Sequence, residues 1–334
     1  MACPRMIRVQ QHLPSERLAD VPAEVQRQLA GLGLSERVRT GESVAITVGS
    51  RGIAGIAEIT RAIVKHFQTL GASPFIVPAM GSHGGGTAAG QREVIEGYGV
   101  TEEFVGCPIR SSMETVVVTE TRRGVPVHFD RHTFEADHVV VAGRIKPHTR
   151  FVGEIESGLH KMMLIGLGKH DGAKVYHQAI HDATFGEIIH DVAEVVLNRC
   201  KVICGVGIVE NALDQTAIIE AVRPTDFATR EAALLKQARA MLPRLPFPGC
   251  DLLIVDRIGK DVSGTGMDTN VIGRKFNDHA ATEEDDADCN RIFVRGLTEK
   301  THGNATGIGI AEFTNRRTID ALDYEITRIN CVTA

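Results

Sequence analysis

Residues 43–80 read SVAITVGSRGIAGIAEITRAIVKHFQTLGASPFIVPAM and form the first recognisable structural unit of the chain. The apolar run 43–48 predicts a short strand, and residues 74–80 predict the next one. Between them, apolar residues recur at three- and four-residue spacing, which predicts a helix over 54–70. These residues are Ile56, Ile59, Ile63 and Phe67. A strand, a helix and a strand in this order form a βαβ unit, which predicts a parallel sheet in an α/β fold.

The alternation of strands and helices continues along the chain. The pattern predicts a hairpin at 115–118 and 125–129, strands at 138–142 and 201–209, and helices near 154–164, 185–197 and 225–241. Three prolines within 242–249 indicate a linker, and a further strand at 251–255 follows it. We therefore predict two α/β domains, and we expect any ligand site to lie in the cleft between them. The larger domain, residues 1–243, is predicted to contain a Rossmann-like, mainly parallel sheet. The smaller domain is residues 250–334, and its last segment can return to pack on the larger domain.

Charge and composition exclude several classes of function. The 334 residues include 37 Lys+Arg and 42 Asp+Glu, a net charge of −5, which excludes a strongly basic nucleic-acid footprint. Aromatic residues make up 4% with no Trp, so stacking platforms for single-stranded nucleic acid are not expected. No apolar run approaches the roughly 18 residues of a membrane span, and the first residues contain no signal-peptide core. We expect a cytoplasmic protein with neither nucleic-acid nor membrane partners.

Cysteine usage indicates a reducing compartment. The seven cysteines are an odd number and are spread along the whole chain, which is typical of reduced thiols. Cys200 and Cys204 have a spacing that can hold a metal, but they lie in an apolar stretch. Packing in the core is the favoured interpretation, because free cysteines are commonly buried.

A glycine-rich loop, GSHGGGT at 81–87, lies between a predicted strand and a predicted helix. It is at the carboxyl end of the strand, where open α/β sheets bind ligands. The loop matches neither the Walker pattern nor the dinucleotide fingerprint. Its amides and the following helix N-terminus can still hold a phosphate, with His83 projecting into the site. An ordinary turn is the alternative.

A second loop carries four groups that can be positively charged. Arg144, Lys146, His148 and Arg150 lie within 143–153, after the strand at 138–142. Placing such groups together is unfavourable unless an anion is shared between them, so the loop predicts a carboxylate or phosphate ligand. The alternative is an exposed basic loop.

Lys161 lies in the segment SGLHKMMLIGLG at 157–168, beside an apolar run. A partly buried lysine can become a nucleophile or a covalent attachment point because burial disfavours its ammonium form. A surface lysine that reaches solvent past apolar neighbours is an equally good interpretation of the sequence alone.

These stretches resemble the nickel-pincer-nucleotide-dependent lactate racemase family. The resemblance rests on the glycine-flanked His83, the pair Pro147-His148, Lys161 after Ser157-Gly158, and His177 beyond it. It extends from about Val44 to Gln178 and more weakly into the second domain. We identify the chain as a divergent, short homologue: Val48 stands where the family has Asp, and the spacing from His148 to Lys161 is longer.

The resemblance implies a nickel-bearing, nicotinic-acid-derived mononucleotide held covalently by Lys161, with His177 as the protein's nickel ligand. His83 and His148 would be the two acid/base catalysts, since a racemase needs a base for each enantiomer. Cofactor contacts are expected from Ser50, Arg51, Gly84 and Gly85. Substrate contacts are expected from Arg51, Lys146, Arg150, Lys260, Asp268 and Asn270.

The substrate implied is a 2-hydroxy acid. Asp268 and Asn270 can bind hydroxyl groups, which would favour a sugar acid or another polyol acid over lactate. Proteins that make the cofactor are expected partners, and assembly into a homo-oligomer stays open.

Three other functions are weighed against this one. A non-catalytic nucleotide- or anion-binding protein could use the same scaffold. A dehydrogenase-like hydride-transfer enzyme is disfavoured because the GxGxxG fingerprint is missing. A zinc hydrolase is disfavoured further because no HExxH or comparable spacing is present.

Overall fold

A computed structural model describes residues 5–149, 152–179, 183–274 and 288–333, apart from the side chains of His177, Asp288, Val332 and Thr333. The chain forms two compact units. The larger contains residues 15–146 and 153–241, and the smaller contains the described residues of 1–14, 147–152 and 242–334. The smaller unit thus includes two short segments that a single division near residue 243 would assign to the N-terminal domain. The domain boundaries themselves stay a prediction.

The larger unit is built on a five-stranded sheet with the strand order β2-β1-β5-β6-β7. Its strands are β1 (Ser43–Val48), β2 (Ser73–Pro78), β5 (His138–Arg144), β6 (Val202–Glu210) and β7 (Thr216–Val222). Neighbouring strands are parallel except β6 and β7, which are antiparallel. A separate antiparallel hairpin joins β3 (Thr115–Glu120) and β4 (Pro126–Asp130), as predicted. The predicted α/β class with a mainly parallel sheet is therefore confirmed.

The central strands are buried because helices cover the sheet, which explains their almost uninterrupted apolar sequences. The first eight residues of β6 are all buried. The helices of this unit are α1 (Val21–Ala30), α2 (Ile56–Thr69), α3 (Ala88–Gly97), α4 (Glu102–Val105), α5 (Arg131–Glu135), α6 (Leu159–Lys161), α7 (Lys169–Ala179), α8 (Phe185–Arg199) and α9 (Phe227–Met241). The periodic residues that predicted α2 are all buried. Gly71 follows the helix with φ +80, the left-handed conformation expected just after a helix end.

The helix predicted near 154–164 begins later than the sequence pattern indicated. Residues 154–158 are not helical, and α6 begins at Leu159. The reason is a pairing of the preceding backbone: Lys146 N donates to Ser157 O at 3.0 Å. After α6 the chain forms a π-helix, Met162–Gly166, before α7 begins. π-Helical turns are rare and are frequent at functional sites.

The smaller unit contains short strands and helices. Its strands are β8 (Gly249–Cys250), β9 (Leu253–Val255), β10 (Asp288–Cys289), β11 (Ile292–Val294) and β12 (Phe313–Thr314). Its helices are α10 (Thr269–Ile272), α11 (Arg316–Asp320) and α12 (Tyr324–Thr333). Strands β12, β11 and β9 form a parallel three-stranded sheet over a core that includes Ile258, Met267 and Ile292. The strand predicted at 251–255 is confirmed in β9.

Two further sequence predictions concern membrane-spanning helices and the role of Cys200 and Cys204. Within the described ranges, no helix is both long enough and apolar enough to cross a bilayer. Cys200 and Cys204 are buried, and burial raises the pKa of both thiols to about 12. Both side chains therefore pack in the core as protonated thiols.

Candidate active site

The carboxyl ends of two parallel strands, β1 and β2, meet the π-helix that directly follows Lys161. After β2, Gly81 N donates to Gly166 O of the π-helix at 3.4 Å. After β1, Gly49 approaches Met162 so closely that a Cβ there would lie 3.5 Å from its sulfur. Ligands of open α/β sheets bind at this edge. The fold therefore places Lys161 where a bound molecule is expected.

Lys161 is half-buried, and desolvation lowers the pKa of its amine to about 8. Desolvation is the largest cause of this lowering, the positive charges of Arg51 and Lys146 contribute to it, and the charge of Glu156 opposes it. Among the residues that the structure describes, no acceptor is hydrogen-bonded to Lys161 Nζ. At neutral pH roughly one in ten Lys161 amines is uncharged and nucleophilic, far more than for an ordinary lysine.

A buried carboxylate fixes the backbone just before Lys161. Glu231 Oε2 of α9 accepts from His160 N at 3.1 Å and lies 2.6 Å from His160 Nδ1. Gly158 leaves room for this carboxylate, since a Cβ there would lie 2.1 Å from Glu231 Oε1. Sequence reasoning missed Glu231, although its position on the apolar face of α9, among Phe227, Leu234 and Leu235, was a signal.

The structure describes three of the four basic groups predicted on one loop, Arg144, Lys146 and His148. Arg144 forms an ion pair with Glu210, whose second oxygen accepts from Ala54 N at 2.8 Å. His148 belongs to the smaller unit. Arg150 lies outside the described residues. The positive charges that lower the pKa of Lys161 are those of Lys146, which belongs to this basic loop, and of Arg51.

Arg51 follows β1 and is exposed. Desolvation and the neighbouring Arg144 lower the pKa of its guanidinium, which still remains charged at neutral pH. The adjacent Ser50 accepts a hydrogen bond through its backbone oxygen from the Tyr98 hydroxyl at 2.9 Å. This bond fixes the course of the backbone that carries Arg51.

His83 lies in the loop after β2, and its ring is oriented by the protein backbone. The side chain is exposed, and His83 Nδ1 lies 2.8 Å from Met80 O. A carbonyl oxygen only accepts, so Nδ1 carries the hydrogen and the basic lone pair of the neutral ring is on Nε2. The arrangement prepares Nε2 to take a proton.

The glycines after His83 have different surroundings. Gly84, with φ +66, packs on the start of α3, where a Cβ would lie 2.5 Å from Gly90 C. Gly85 is open, with no atom within 4 Å of its Cβ position. Thr87 Oγ1 accepts from Gly90 N at 3.1 Å and thereby caps the helix. Gly84 thus has a structural reason to be glycine, and Gly85 borders open space.

In the smaller unit, the start of α10 holds the loop that carries His148. Thr269 Oγ1 donates to Thr149 O at 2.7 Å, and Asn270 Nδ2 lies 3.4 Å from His148 O. Asp268 caps α10 and lies 3.0 Å from Asn270 Nδ2. The structure thus brings together His148, Asp268 and Asn270. The role that sequence reasoning missed is that of Thr269 and Asn270 in holding backbone carbonyls.

Lys260 is part of a tight turn of the smaller unit. Its Nζ donates to Gly264 O at 2.8 Å, and its backbone N donates to Thr301 Oγ1 at 3.1 Å. An ammonium group has three donors, so this bond is compatible with an additional anionic ligand.

Residues 6–186, more than half of the chain, match the model of the lactate racemase N-terminal domain. The chain belongs to the lactate racemase family. Membership of this family supports a racemase-type function in general. A comparison with curated protein sequences finds no match.

Solved structures agree with the fold of this lactate racemase relative. The lactate racemase apoprotein from Thermoanaerobacterium thermosaccharolyticum aligns with a TM-score of 0.55 at 14% identity, covering 85% of this chain and 69% of that one. A structural-genomics protein from Thermotoga maritima aligns with a TM-score of 0.56 at 12% identity, covering 85% and 72%. At these identities the likeness shows the fold alone.

The residues present in the larger unit fit an anionic group attached to Lys161. The observation is the chemistry of the donors: an amine with a lowered pKa stands beside Lys146 and Arg51, which supply positive charge. His177, the nickel ligand implied by the resemblance, is in α7, and its side chain lies outside the described residues. Across the described part of the chain, no three His, Cys, Asp or Glu side chains are grouped for metal binding.

Proposed function

We propose that this lactate racemase relative is a racemase or epimerase of a 2-hydroxy acid, with a nickel-pincer nucleotide attached to Lys161. The observation that supports this proposal best is the environment of Lys161: half-buried, with a pKa lowered to about 8, at the carboxyl edge of a parallel sheet. When bound, the nucleotide supplies a reversible acceptor for the hydride on the carbon that bears the substrate hydroxyl.

The chain's own residues supply nucleophile, charge and proton transfer. Lys161 would hold the nucleotide covalently through its amine, which is nucleophilic in the uncharged form. Arg51 and Lys146 offset the negative charge of a phosphate or carboxylate. His83 Nε2 removes or returns the proton of the substrate hydroxyl for one enantiomer, and His148 does the same for the other.

Polar residues of the smaller unit, Lys260, Asp268 and Asn270, set the class of hydroxy acid. Lys260 would bind a carboxylate or phosphate, and Asp268 would accept from substrate hydroxyls. Because Asn270 Nδ2 lies near both Asp268 Oδ1 and His148 O, we expect Asn270 to contribute through the placement of His148 as well as through direct contact. These groups favour a sugar acid or another polyol acid.

The first experiment is intact-protein mass with nickel analysis on protein co-produced with the enzymes that make the cofactor. We expect a mononucleotide-sized adduct, mapped to Lys161, with near-stoichiometric nickel. Lys161→Arg should abolish the adduct, whereas Lys174→Arg, at an exposed lysine of α7, should retain it. An unmodified, metal-free wild-type chain would instead favour a non-catalytic nucleotide- or anion-binding protein.

The second experiment separates proton transfer from cofactor attachment. His83→Gln and His148→Gln should each reduce interconversion of enantiomers at least 100-fold in a screen of 2-hydroxy and sugar acids, since general acid–base catalysis contributes about that much. Both variants should keep the Lys161 adduct in the mass spectrum. Full turnover in either variant would exclude that histidine from the reaction.

A further inference from the structure

A buried lysine that this chemistry does not use follows the π-helix. Lys169 has no solvent-exposed surface and a backbone φ of +54, which is uncommon for a residue other than glycine. Its Nζ donates to Pro78 O at 2.5 Å and to Gln91 Oε1 at 3.2 Å, and it lies 3.4 Å from Asp130 Oδ2. The ammonium group thus donates two hydrogen bonds and forms an ion pair with the carboxylate of Asp130.

These contacts determine which way the Gln91 amide faces. An ammonium group cannot accept a hydrogen bond, so Gln91 must turn Oε1 toward Lys169. Its amide nitrogen then donates to Gly81 O at 2.7 Å and points toward His83 O at 3.4 Å. Gln91 is fully buried, so water does not compete for these bonds.

The carbonyls that Gln91 holds belong to the turn that orients His83. Met80 O, the acceptor for His83 Nδ1, lies in the same turn. Gly81 N donates to Gly166 O, which ties this turn to the π-helix next to Lys161. A displacement of the turn would therefore change both the ring of His83 and its anchor on the helical segment.

Asp130 compensates the charge of Lys169. Its Oδ1 accepts from Thr133 N and Thr133 Oγ1, both at 2.8 Å. Its Oδ2 has no hydrogen bond within the described part of the chain, so the nearby ammonium is its source of stabilisation there. A buried charge that loses its partner is strongly unfavourable, which ties the two residues together.

We infer that Lys169 and Gln91 are positioning residues that hold His83 with hydrogen on Nδ1 and its basic lone pair on Nε2. The importance of this arrangement for turnover rests on the proposed function. The arrangement itself is a property of the protein without substrate or cofactor.

The test is the set of ¹⁵N chemical shifts of the His83 ring in the full-length protein, assigned by their loss in His83→Gln. In the wild type we expect one nitrogen with hydrogen, Nδ1, and one without, Nε2. In Gln91→Met the shifts should move toward the averaged values of an imidazole that exchanges between tautomers. Gln26→Met is the matched control, because Gln26 also donates to a carbonyl, Ala62 O at 2.6 Å, away from His83.

A second variant covers the case in which Gln91→Met does not fold. Lys169→Met combined with Asp130→Asn removes both buried charges and should move the His83 shifts in the same direction. A wild-type ring with hydrogen on Nε2, or unchanged shifts in the folded variants, would overturn the inference. The readout needs neither nickel nor substrate, so it is independent of the mass experiment that tests the proposed function.

Discussion

The reactivity proposed for Lys161 and His83 depends on the surroundings of each side chain in the folded protein. The Lys161 amine is made nucleophilic by desolvation and by positive charge from two other loops. The His83 ring is oriented by a carbonyl of its own turn. Neither effect depends on a motif, because each arises from where the folded backbone places charge and acceptors.

The lowered pKa of Lys161 predicts an unusual pH dependence of chemical labelling. A lysine reacts with an acylating reagent as the free amine, so the rate for Lys161 should rise with pH and level off above about 8. An ordinary lysine, with a pKa of about 10.4, continues to gain reactivity up to about pH 10. Peptide mapping after brief labelling across pH 6–10 measures this, with the exposed Lys174 peptide as reference. Parallel profiles for the two peptides would contradict the prediction.

The backbone before Lys161 depends on a close approach between Gly158 and α9. Gly158→Ala would drive a Cβ into Glu231 Oε1, so we expect a loss of roughly 2–3 kcal/mol in the free energy of unfolding. The displaced carboxylate should also disturb His160 and alter the labelling profile of Lys161. Denaturant unfolding measures the first effect.

The control for this substitution is Gly186→Ala in α8. No atom lies within 4 Å of the Cβ position of Gly186. Alanine favours helix over glycine by up to about 1 kcal/mol, so this variant should be equally stable or slightly more stable. A similar loss in both variants would show that the effect of Gly158→Ala is not due to Glu231.

Sequence periodicity predicted the parallel strands and the long helices, because burial imposes their apolar patterns directly. Helix α2 and strands β1 and β5 were found within a few residues of their predicted bounds. The start of α6 was predicted too early, since the pairing of Lys146 with Ser157 is a tertiary contact that no local pattern encodes. The π-helix was not predicted either.

The site was predictable only in part. Clustered glycine, histidine and lysine indicated the loops after β2 and β5. Glu231 and Gln91 were not found, because each is a single polar residue on a buried helix face and acts through a partner distant in sequence. The ion pair of Arg144 with Glu210 likewise joins residues whose proximity depends on the strand order.

The residue ranges of the two units predict how a truncated chain behaves. All five strands of the main sheet lie between residues 43 and 222. A fragment ending at Met241 should therefore fold and retain the labelling profile of Lys161. It lacks Thr269 and Asn270, so the loop at His148 loses the donors to its carbonyls, and racemisation should be lost. Circular dichroism and labelling of the fragment check this, and an unfolded fragment would contradict it.

The side chains of Thr269 and Asn270 donate hydrogen bonds to the backbone oxygens of residues 149 and 148. Every amino acid has this backbone oxygen, so the bonds do not depend on the side chains of the loop. Evolution can therefore exchange the side chain at position 149 without losing the bond at that site. Selection should instead act on the donors: position 269 must keep a hydroxyl, and position 270 must keep an amide. Among diverging descendants of this protein, those two positions should change more slowly than the loop they hold.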